Sequence, residues 1–395
     1  MHCTRKITQD ITWIGSQDRR LALFESAYAV PRGVTYNSYL ISDLKTCVVD
    51  TVDASQQKQF LENLEYALDG RGLDFLLVQH MEPDHSAAIE AVLAKYPDAR
   101  LVCTQKTLDL IVQFFGYTPK NNTKVITEGA VLELGAHKLT FVAAPMVHWP
   151  EVIVSYDLNF NLLFSADAFG TFGAGDGAVF ADEVRFMETH LAEARRYYTN
   201  IVGKYGAPVT ALLEKAIQLP ISMILPLHGF VWRENIGGIF EKYQKWASYT
   251  PEDDGVVIAY ASVYGGTENA CNILAALLRE KGAEVRVYDA AITPAPELLA
   301  EAFRAKKLVF AAPTIDGGLF PQMDALLRKI AEHGLKNRVA AYIENGTWGP
   351  MAAKKMRDIT EKLGWEEAGA ITLKSSVTDE NLGQLTALAE KLAQI

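Results

Sequence analysis

The feature that most constrains this chain is a regular alternation of strand and helix between residues 256 and 394. VVIAYAS leads to TENACNILAALLREKG, AEVRVYDA to PAPELLAEAFRAK, and KLVFAAP to PQMDALLRKIAEHG. RVAAYIEN then leads to PMAAKKMRDITEKLG, and AGAITLKSS to TDENLGQLTALAEKLAQ. Short apolar runs rich in Val, Ile and Ala, each followed by an amphipathic helical pattern, predict five β–α pairs. Strands joined through crossover helices must run parallel, so the expected fold is α/β, a doubly wound parallel sheet.

Residues 1–250 keep no such rhythm. VTYNSYLISDLKTCVVDT (34–51) alternates like paired strands, and LDFLLVQH (73–80) reads as a buried strand. ARLVCT, KLTFVAAP, LNFNLLFSAD and LPISMILPLHG look similar. Helical patterns such as SAAIEAVLAKYP and EVRFMETHLAEARRYYTNIVGKYG lie between them. Intermixed strands and helices predict stacked sheets flanked by helices. YTPEDDG (249–255), with Pro, Gly and three consecutive acids, reads as a linker, giving expected domains of 1–250 and 251–395.

Composition removes several function classes. A net charge of −10 argues against a nucleic-acid partner and against an anionic membrane surface. The four cysteines, Cys3, Cys47, Cys103 and Cys271, include no C-x-x-C pair, so no rubredoxin module, zinc ribbon or iron–sulfur signature is expected in these residues. No run is long and apolar enough for a membrane span, and MHCTRKITQDITWIG lacks a signal-peptide core, so a cytoplasmic location is expected.

QHMEPDHSAA (79–88) carries the chemistry. It follows the strand LDFLLV and places His80, Glu82, Asp84 and His85 within six positions. Four metal-ligand types there fit neither an apolar core nor a solvated face. Three other strand-like runs end near His148, Asp167 and His228. Seven donors suit two metals: His80, Glu82 and His148 for one, Asp84, His85 and His228 for the other, and Asp167 between them. Binuclear zinc hydrolases of the β-lactamase superfold carry a histidine where Glu82 stands. A carboxylate there adds negative charge and hard oxygen, which favours iron and its higher oxidation states. His137, His190 and His333 sit in polar contexts and are expected at the surface.

With these residues in place, the chain resembles the flavodiiron proteins (A-type flavoproteins) over nearly its whole length. The resemblance rests on H-x-E-x-D-H with the distant His148, Asp167 and His228, on VHWPE around His148, and on YNSYLI at 36–41. It implies an N-terminal metallo-β-lactamase-like αββα sandwich with two irons, joined to a flavodoxin-like domain that binds FMN. It also implies a tyrosine beside the metals. Tyr197 is the candidate, although a packing role on a helix face accounts for it equally well.

Three loops are expected to hold the flavin. YASVYGGTENA supplies Ser262, Val263, Tyr264, Gly265, Gly266 and Thr267, whose backbone N–H groups and helix N-terminus suit a phosphate. PTIDGGLFP supplies Pro313, Thr314, Ile315, Asp316, Gly317 and Gly318, and ENGTWGP supplies Glu344, Asn345, Gly346, Thr347, Trp348 and Gly349. All three follow strands of the parallel sheet and meet at its C-terminal edge. No G-x-G-x-x-G with a distal acid is present, so FMN is favoured over a dinucleotide. Tyr264 stands where flavodoxins often carry a short hydroxyl residue.

The implied activity is reduction of O2 to water, or of NO to N2O, or both. Electrons would come from rubredoxin or a similar one-electron donor on another chain. The resemblance further implies a head-to-tail homodimer, or a dimer of dimers, placing one subunit's FMN beside the other's irons. Two alternatives stand beside this reading: a metal hydrolase with a regulatory flavodoxin domain, and an electron-transfer flavoprotein with an inert metal domain.

Overall fold

The computed structural model describes residues 2–119 and 122–395. The chain divides into two compact units, one of Met1–Tyr198 with Ala207–Tyr243, the other of Thr199–Gly206 with Gln244–Ile395.

The first unit is a two-sheet sandwich. A seven-stranded sheet runs in the order Arg5–Lys6, Ile11–Trp13, Tyr39–Ser42, Thr46–Val49, Phe75–Leu77, Arg100–Cys103, Thr123–Val125. A five-stranded sheet runs Val131–Glu133, Lys138–Ala143, Ile153–Asp157, Leu162–Phe164, Met223–Leu225. Val49, Leu77 and Val102 from the first sheet share one core cluster with Phe141, Ile153, Phe164 and Leu225 from the second. Their strand neighbours Val48, Leu76 and Leu101 point to the opposite face and are just as buried. That outer face is therefore covered too, and helices Gln57–Leu68 and Ile89–Lys95 contribute buried Phe60, Leu64 and Val92. Strands buried on both faces read as unbroken apolar runs, which is how LDFLLV looks in the sequence. The sandwich expected from the sequence is thus the one formed.

In the second unit five parallel strands run Val285–Asp289, Asp253–Tyr260, Ala305–Ile315, Val339–Asn345, Glu366–Leu373. Numbered along the chain this is the order 2-1-3-4-5, the flavodoxin-like doubly wound topology. Helices Gly266–Glu280 and Asp379–Gln394 pack together on one face, where Leu274, Leu278, Leu385 and Leu392 join the core. Ala295–Arg304, Pro321–Glu332 and Ala352–Thr360 pack in sequence with one another. The strand order reverses between Asp253–Tyr260 and Ala305–Ile315, which places a switch point at their C-terminal ends.

Two local expectations need correction. EVRFMETHLAEARRYYTNIVGKYG is not one helix: it forms Phe186–Thr189 and Leu191–Tyr197, then a wider π turn at Tyr198–Val202 and a 3-10 turn at Gly203–Tyr205. His137 and His190 are not at the surface, being only 1% and 7% exposed. His137 is drawn inward by Asp157, whose Oδ2 lies 2.5 Å from its Nδ1. His190 stacks on Phe186 and meets Phe230 edge-on.

Candidate metal centre and flavin loops

Register brings the distant ligands together. Strands Leu162–Phe164 and Met223–Leu225 are parallel, with Phe164 opposite Leu225. Asp167 and His228 each follow three residues after that pair, so they emerge side by side. In the other sheet, Val49 pairs with Leu77, and the chain beyond Leu77 carries His80, Glu82, Asp84 and His85. Pro83 opens the short helix Pro83–Ser86 and has no N–H to lose there. Asp84 and His85 thus sit on a helical turn, while His80 and Glu82 precede it.

Asp50, fully buried, anchors this segment by accepting from Gln79 N (2.7 Å), Gln79 Nε2 (3.1 Å) and His80 N (3.4 Å). Thr51 donates to the His85 carbonyl through both N and Oγ1. Ser86 Oγ donates to the Met81 and Glu82 carbonyls.

All seven candidate ligands converge, as two groups: His80, Glu82, His148 and Asp167, and Asp84, His85 and His228. Within each group the donor atoms lie within 4.8 Å of one another. Asp167 faces both groups. Its Oδ2 is 3.3 Å from His80 Nε2 and 3.2 Å from His148 Nε2, while Oδ1 is 3.2 Å from His85 Nε2 and 3.8 Å from His228 Nε2. Asp84 Oδ2 closes the second group, 3.1 Å from His228 Nε2 and 3.3 Å from His85 Nε2.

These separations match the edges of a coordination shell. Bonds of ~2.1 Å put cis ligands ~3 Å apart in an octahedron and ~3.4 Å apart in a tetrahedron. Both Asp84 oxygens, Asp167 Oδ1 and His85 Nε2 are buried with no hydrogen-bond partner despite being so near each other. Asp167 Oδ1 and Asp84 Oδ2 lie 3.2 and 3.3 Å from His85 Nε2 without pairing as hydrogen bonds. Buried polar atoms left unpaired are costly, so this donor set fits a pair of cations.

The charges agree. Burial works against ionisation of Asp167, but His85, His80 and His148 hold its carboxyl well below the usual range. Burial likewise opposes a charge on His148, yet Asp167 and Glu82 lift it to about 9. Burial pushes Asp84 up to about 7, with Glu82 and Asp167 adding to the effect against His85 and His80. Among the described residues, every ion-pair partner of Glu82, Asp84 and Asp167 is a histidine, so imidazoles and carboxylates face one another across the two groups.

Residues missed in the sequence hold the imidazoles in place. Glu151 Oε1 lies 2.8 Å from His80 Nδ1, and the Thr35 carbonyl lies 2.6 Å from His228 Nδ1. Each contact engages one ring nitrogen and turns Nε2 toward the centre. Glu151 stands in the VHWPE stretch quoted for His148, but nothing in its spacing reveals that it reaches back to His80. Glu25 feels the site: burial, with the neighbouring Glu82 carboxylate, raises its pKa to about 8.

Tyr197 is fully buried, its hydroxyl has no hydrogen-bond partner, and its ring lies 5.5 Å from that of His228. Burial, reinforced by Asp167, pushes the phenol well above its ordinary range, so it keeps its proton. A Cβ on Gly170 would sit 2.8 Å from Tyr197 Cε1, so the absent side chain makes room for that ring.

The three flavin loops lie at the C-terminal edge of the second unit's sheet. Gly265, at φ +82, precedes helix Gly266–Glu280, and its N–H donates to Ser262 Oγ. Val263 is exposed, while Thr267 is buried. The second stretch is a hairpin rather than a loop. Pro313, Thr314 and Ile315 belong to the strand, Asp316 and Gly317 turn at positive φ, and Gly318 pairs back with Ile315. Thr314 Oγ1 accepts from Met351 N and Ala352 N, tying the hairpin to the third loop.

In that third loop, Glu344 accepts from Ala353 N and Thr372 Oγ1 and so supports the framework. Asn345 and Thr347 bond to Ser375, on a fourth loop that sequence reasoning did not single out. Gly346 packs against Pro350, whereas a Cβ on Gly349 would meet nothing within 4 Å. Tyr264 and Trp348 are 99% and 94% exposed. Two open aromatic rings beside a glycine-bearing helix N-terminus fit a flat ring carrying a phosphate.

Comparison with known proteins agrees with this geometry. Residues 34–229 match the family model described as ODP family beta lactamase. Over 378 residues the chain is 33% identical to the anaerobic nitric oxide reductase flavorubredoxin of Vibrio vulnificus, covering 94% of this chain and 75% of that protein. It is 33% identical to the nitric oxide reductase of Moorella thermoacetica, covering 89% of this chain and 88% of that one. Among solved structures, the rubredoxin oxygen:oxidoreductase of Desulfovibrio gigas superposes with a TM-score of 0.92 at 25% identity, covering 99% and 98% of the two chains. The flavodiiron protein of Giardia intestinalis gives 0.92 at 25% identity, covering 100% and 97%. The chain belongs to the flavodiiron protein family.

Proposed function

We propose that this protein is an FMN- and iron-dependent reductase of O2, of NO, or of both, supplied by rubredoxin or a similar one-electron donor. The observation that carries the reading is the divided Asp167 carboxylate, with one oxygen toward each histidine group. In this reading His80, Glu82 and His148 hold one iron, Asp84, His85 and His228 the other, and Asp167 spans them. Tyr264, Trp348 and the Gly265–Gly266 turn hold the flavin. The domains divide near residue 250, and the working form is a head-to-tail homodimer or a dimer of such dimers.

When bound, FMN passes electrons singly, and the iron pair supplies binding positions and electrons to a small oxidant. The remaining tasks fall to the chain. Glu151 and Thr35 fix the orientation of His80 and His228. Glu82 adds a negative charge that stabilises the more oxidised metal state. Tyr197 holds a proton at Oη in the buried interior beside His228. Phe24 packs on His228, Trp149 on His80, and Phe172 on Tyr197, which helps to keep bulk water away.

The test is anaerobic reduction of the iron- and FMN-loaded protein, followed by separate pulses of O2 and of NO with product quantified. Consumption of either gas in proportion to electrons stored is the expected result. Zinc-dependent ester hydrolysis with no consumption of either gas would overturn the reading in favour of the hydrolase.

A further inference from the structure

Three fully buried polar side chains outside the donor set, Asp50, Gln79 and Ser155, link the two sheets of the first unit beside the metal centre. Asp50 directly follows the strand Thr46–Val49 of the first sheet and turns there at φ +55°. Gln79 lies just past the neighbouring strand Phe75–Leu77 and immediately precedes His80. Ser155 stands within the strand Ile153–Asp157 of the second sheet. Gln79 commits both its backbone and its amide to this junction. Its N and Nε2 donate to Asp50 Oδ1 at 2.7 Å and to Asp50 Oδ2 at 3.1 Å. Its Oε1 accepts from Ser155 Oγ at 2.6 Å, and its carbonyl accepts from Ile153 N at 3.1 Å.

The bridge joins the two halves of the fold that supply the ligands. His80, Glu82, Asp84 and His85 leave the first sheet just beyond Gln79. Ser155 pairs in register with Phe164, the last residue of the strand that leads to Asp167. Around the bridge the sheets meet through apolar side chains, among them Leu77, Ile153 and Phe164. Apolar contact is non-directional and lets two sheets slide, whereas a hydrogen bond confines its atoms to a narrow range of distance and angle. Burying these polar groups also costs desolvation that an apolar pair would avoid, so a gain in geometry must stand against it. We propose that Gln79 and Ser155 are positioning residues: their hydrogen bond fixes the distance from the His80–His85 segment to Asp167, and with it the separation of the two ions. This rests on the two-metal reading above. Glu151 and Thr35 each orient a single ring, whereas this bridge spaces the two donor-bearing segments.

The test titrates the full-length, metal-stripped protein with Co2+ alone. Chelator competition gives the stepwise affinities, X-ray absorption gives the Co–Co distance, and melting of the metal-free protein gives stability. Wild type is compared with Ser155→Ala and with Ser155→Cys, which keeps the volume but donates only weakly. The control is Leu132→Ala, a core variant in the edge strand of the second sheet. Ser155→Ala leaves Gln79 Oε1 buried and unpaired, so both it and the control should melt below wild type. Ser155→Ala should also weaken the second Co2+ by at least about tenfold and lengthen or spread the Co–Co distance. Ser155→Cys should fall between it and wild type, and it carries the comparison should Ser155→Ala not fold. Leu132→Ala should leave the affinities and the distance as they are. Unchanged affinities and distance in both Ser155 variants would overturn the proposal, as would the same changes in Leu132→Ala, which would reduce the bridge to ordinary stability. A wild type that takes up only one Co2+ would sink the two-metal reading, and the positioning role would then be decided by whether that one site weakens in the Ser155 variants and not in Leu132→Ala.

Discussion

Glu151 Oε1 lies 2.8 Å from His80 Nδ1, and neither side chain is open to solvent. The same oxygen accepts from Met81 N at 2.9 Å, so one carboxylate fixes both the ring and the backbone beyond it. Burial opposes ionisation of Glu151, but His80 outweighs it and holds the carboxyl below its ordinary range. Glu151→Gln keeps the shape and removes the charge. It should lower affinity for one metal about 10- to 100-fold, the usual cost of losing such a partner, while far-UV circular dichroism stays unchanged. Competition against a chelator measures the affinity directly.

Asp167 should matter more, because it serves both groups. Asp167→Asn keeps a similar shape but loses the anion that faces four imidazoles. Elemental analysis after iron loading should fall from two metals per chain to one or none. Retention of both metals in Asp167→Asn would show that the divided carboxylate is incidental.

Tyr197 offers a separation of stability from turnover. Its hydroxyl is buried and unpartnered, so removing it costs no hydrogen bond in the metal-free protein. Tyr197→Phe should melt at or slightly above the wild-type temperature yet reduce its gas more slowly. An unchanged rate at saturating donor would assign Tyr197 to packing alone.

In the flavin loops, a Cβ on Gly266 would lie 2.1 Å from the Ser375 carbonyl oxygen, a backbone atom that cannot swing aside. Gly266→Ala should destabilise the second unit by ~1–3 kcal/mol and lower flavin retention with it. Trp348→Ala removes an exposed ring, so it should leave the melting temperature in place and weaken FMN binding by roughly tenfold, the worth of one good aromatic contact. Flavin fluorescence during titration distinguishes the two.

The legible part of the site was the part written in consecutive residues or at the ends of apolar runs. His80, Glu82, Asp84 and His85 announce themselves because the cluster has no other use, and Asp167 and His228 because each ends a strand. What stayed hidden are partners defined only by tertiary contact. Thr35, Asp50 and Glu151 are unremarkable until the fold sets them against His228, His80 and Met81. Ser375 was hidden likewise, since its loop follows the fifth strand and meets the first only once the sheet forms. The five β–α pairs were readable because local pattern and global fold agree there. The segment 183–206 was misread because its helical period continues through a point where the backbone widens.

His137 provides the pH test, away from the metals. Its Nδ1 lies 2.5 Å from Asp157 Oδ2 and its backbone N–H donates to Asp43. Burial opposes a charge on the ring, but Asp157, with Asp43 and Asp10, outweighs it and raises its pKa above the ordinary value. A histidine that binds its proton more tightly when folded stabilises the fold fully below its unfolded pKa of ~6.5, and that stability is lost as pH rises through the higher folded value. Wild type should therefore melt well above His137→Gln at pH 6, with the gap narrowing steadily as pH rises beyond 6.5. Melting curves of the metal-free proteins across that range provide the measurement. A gap that stays constant would mean that His137 acts through packing against Phe160, whose ring stacks on it at 4.3 Å, and not through its charge.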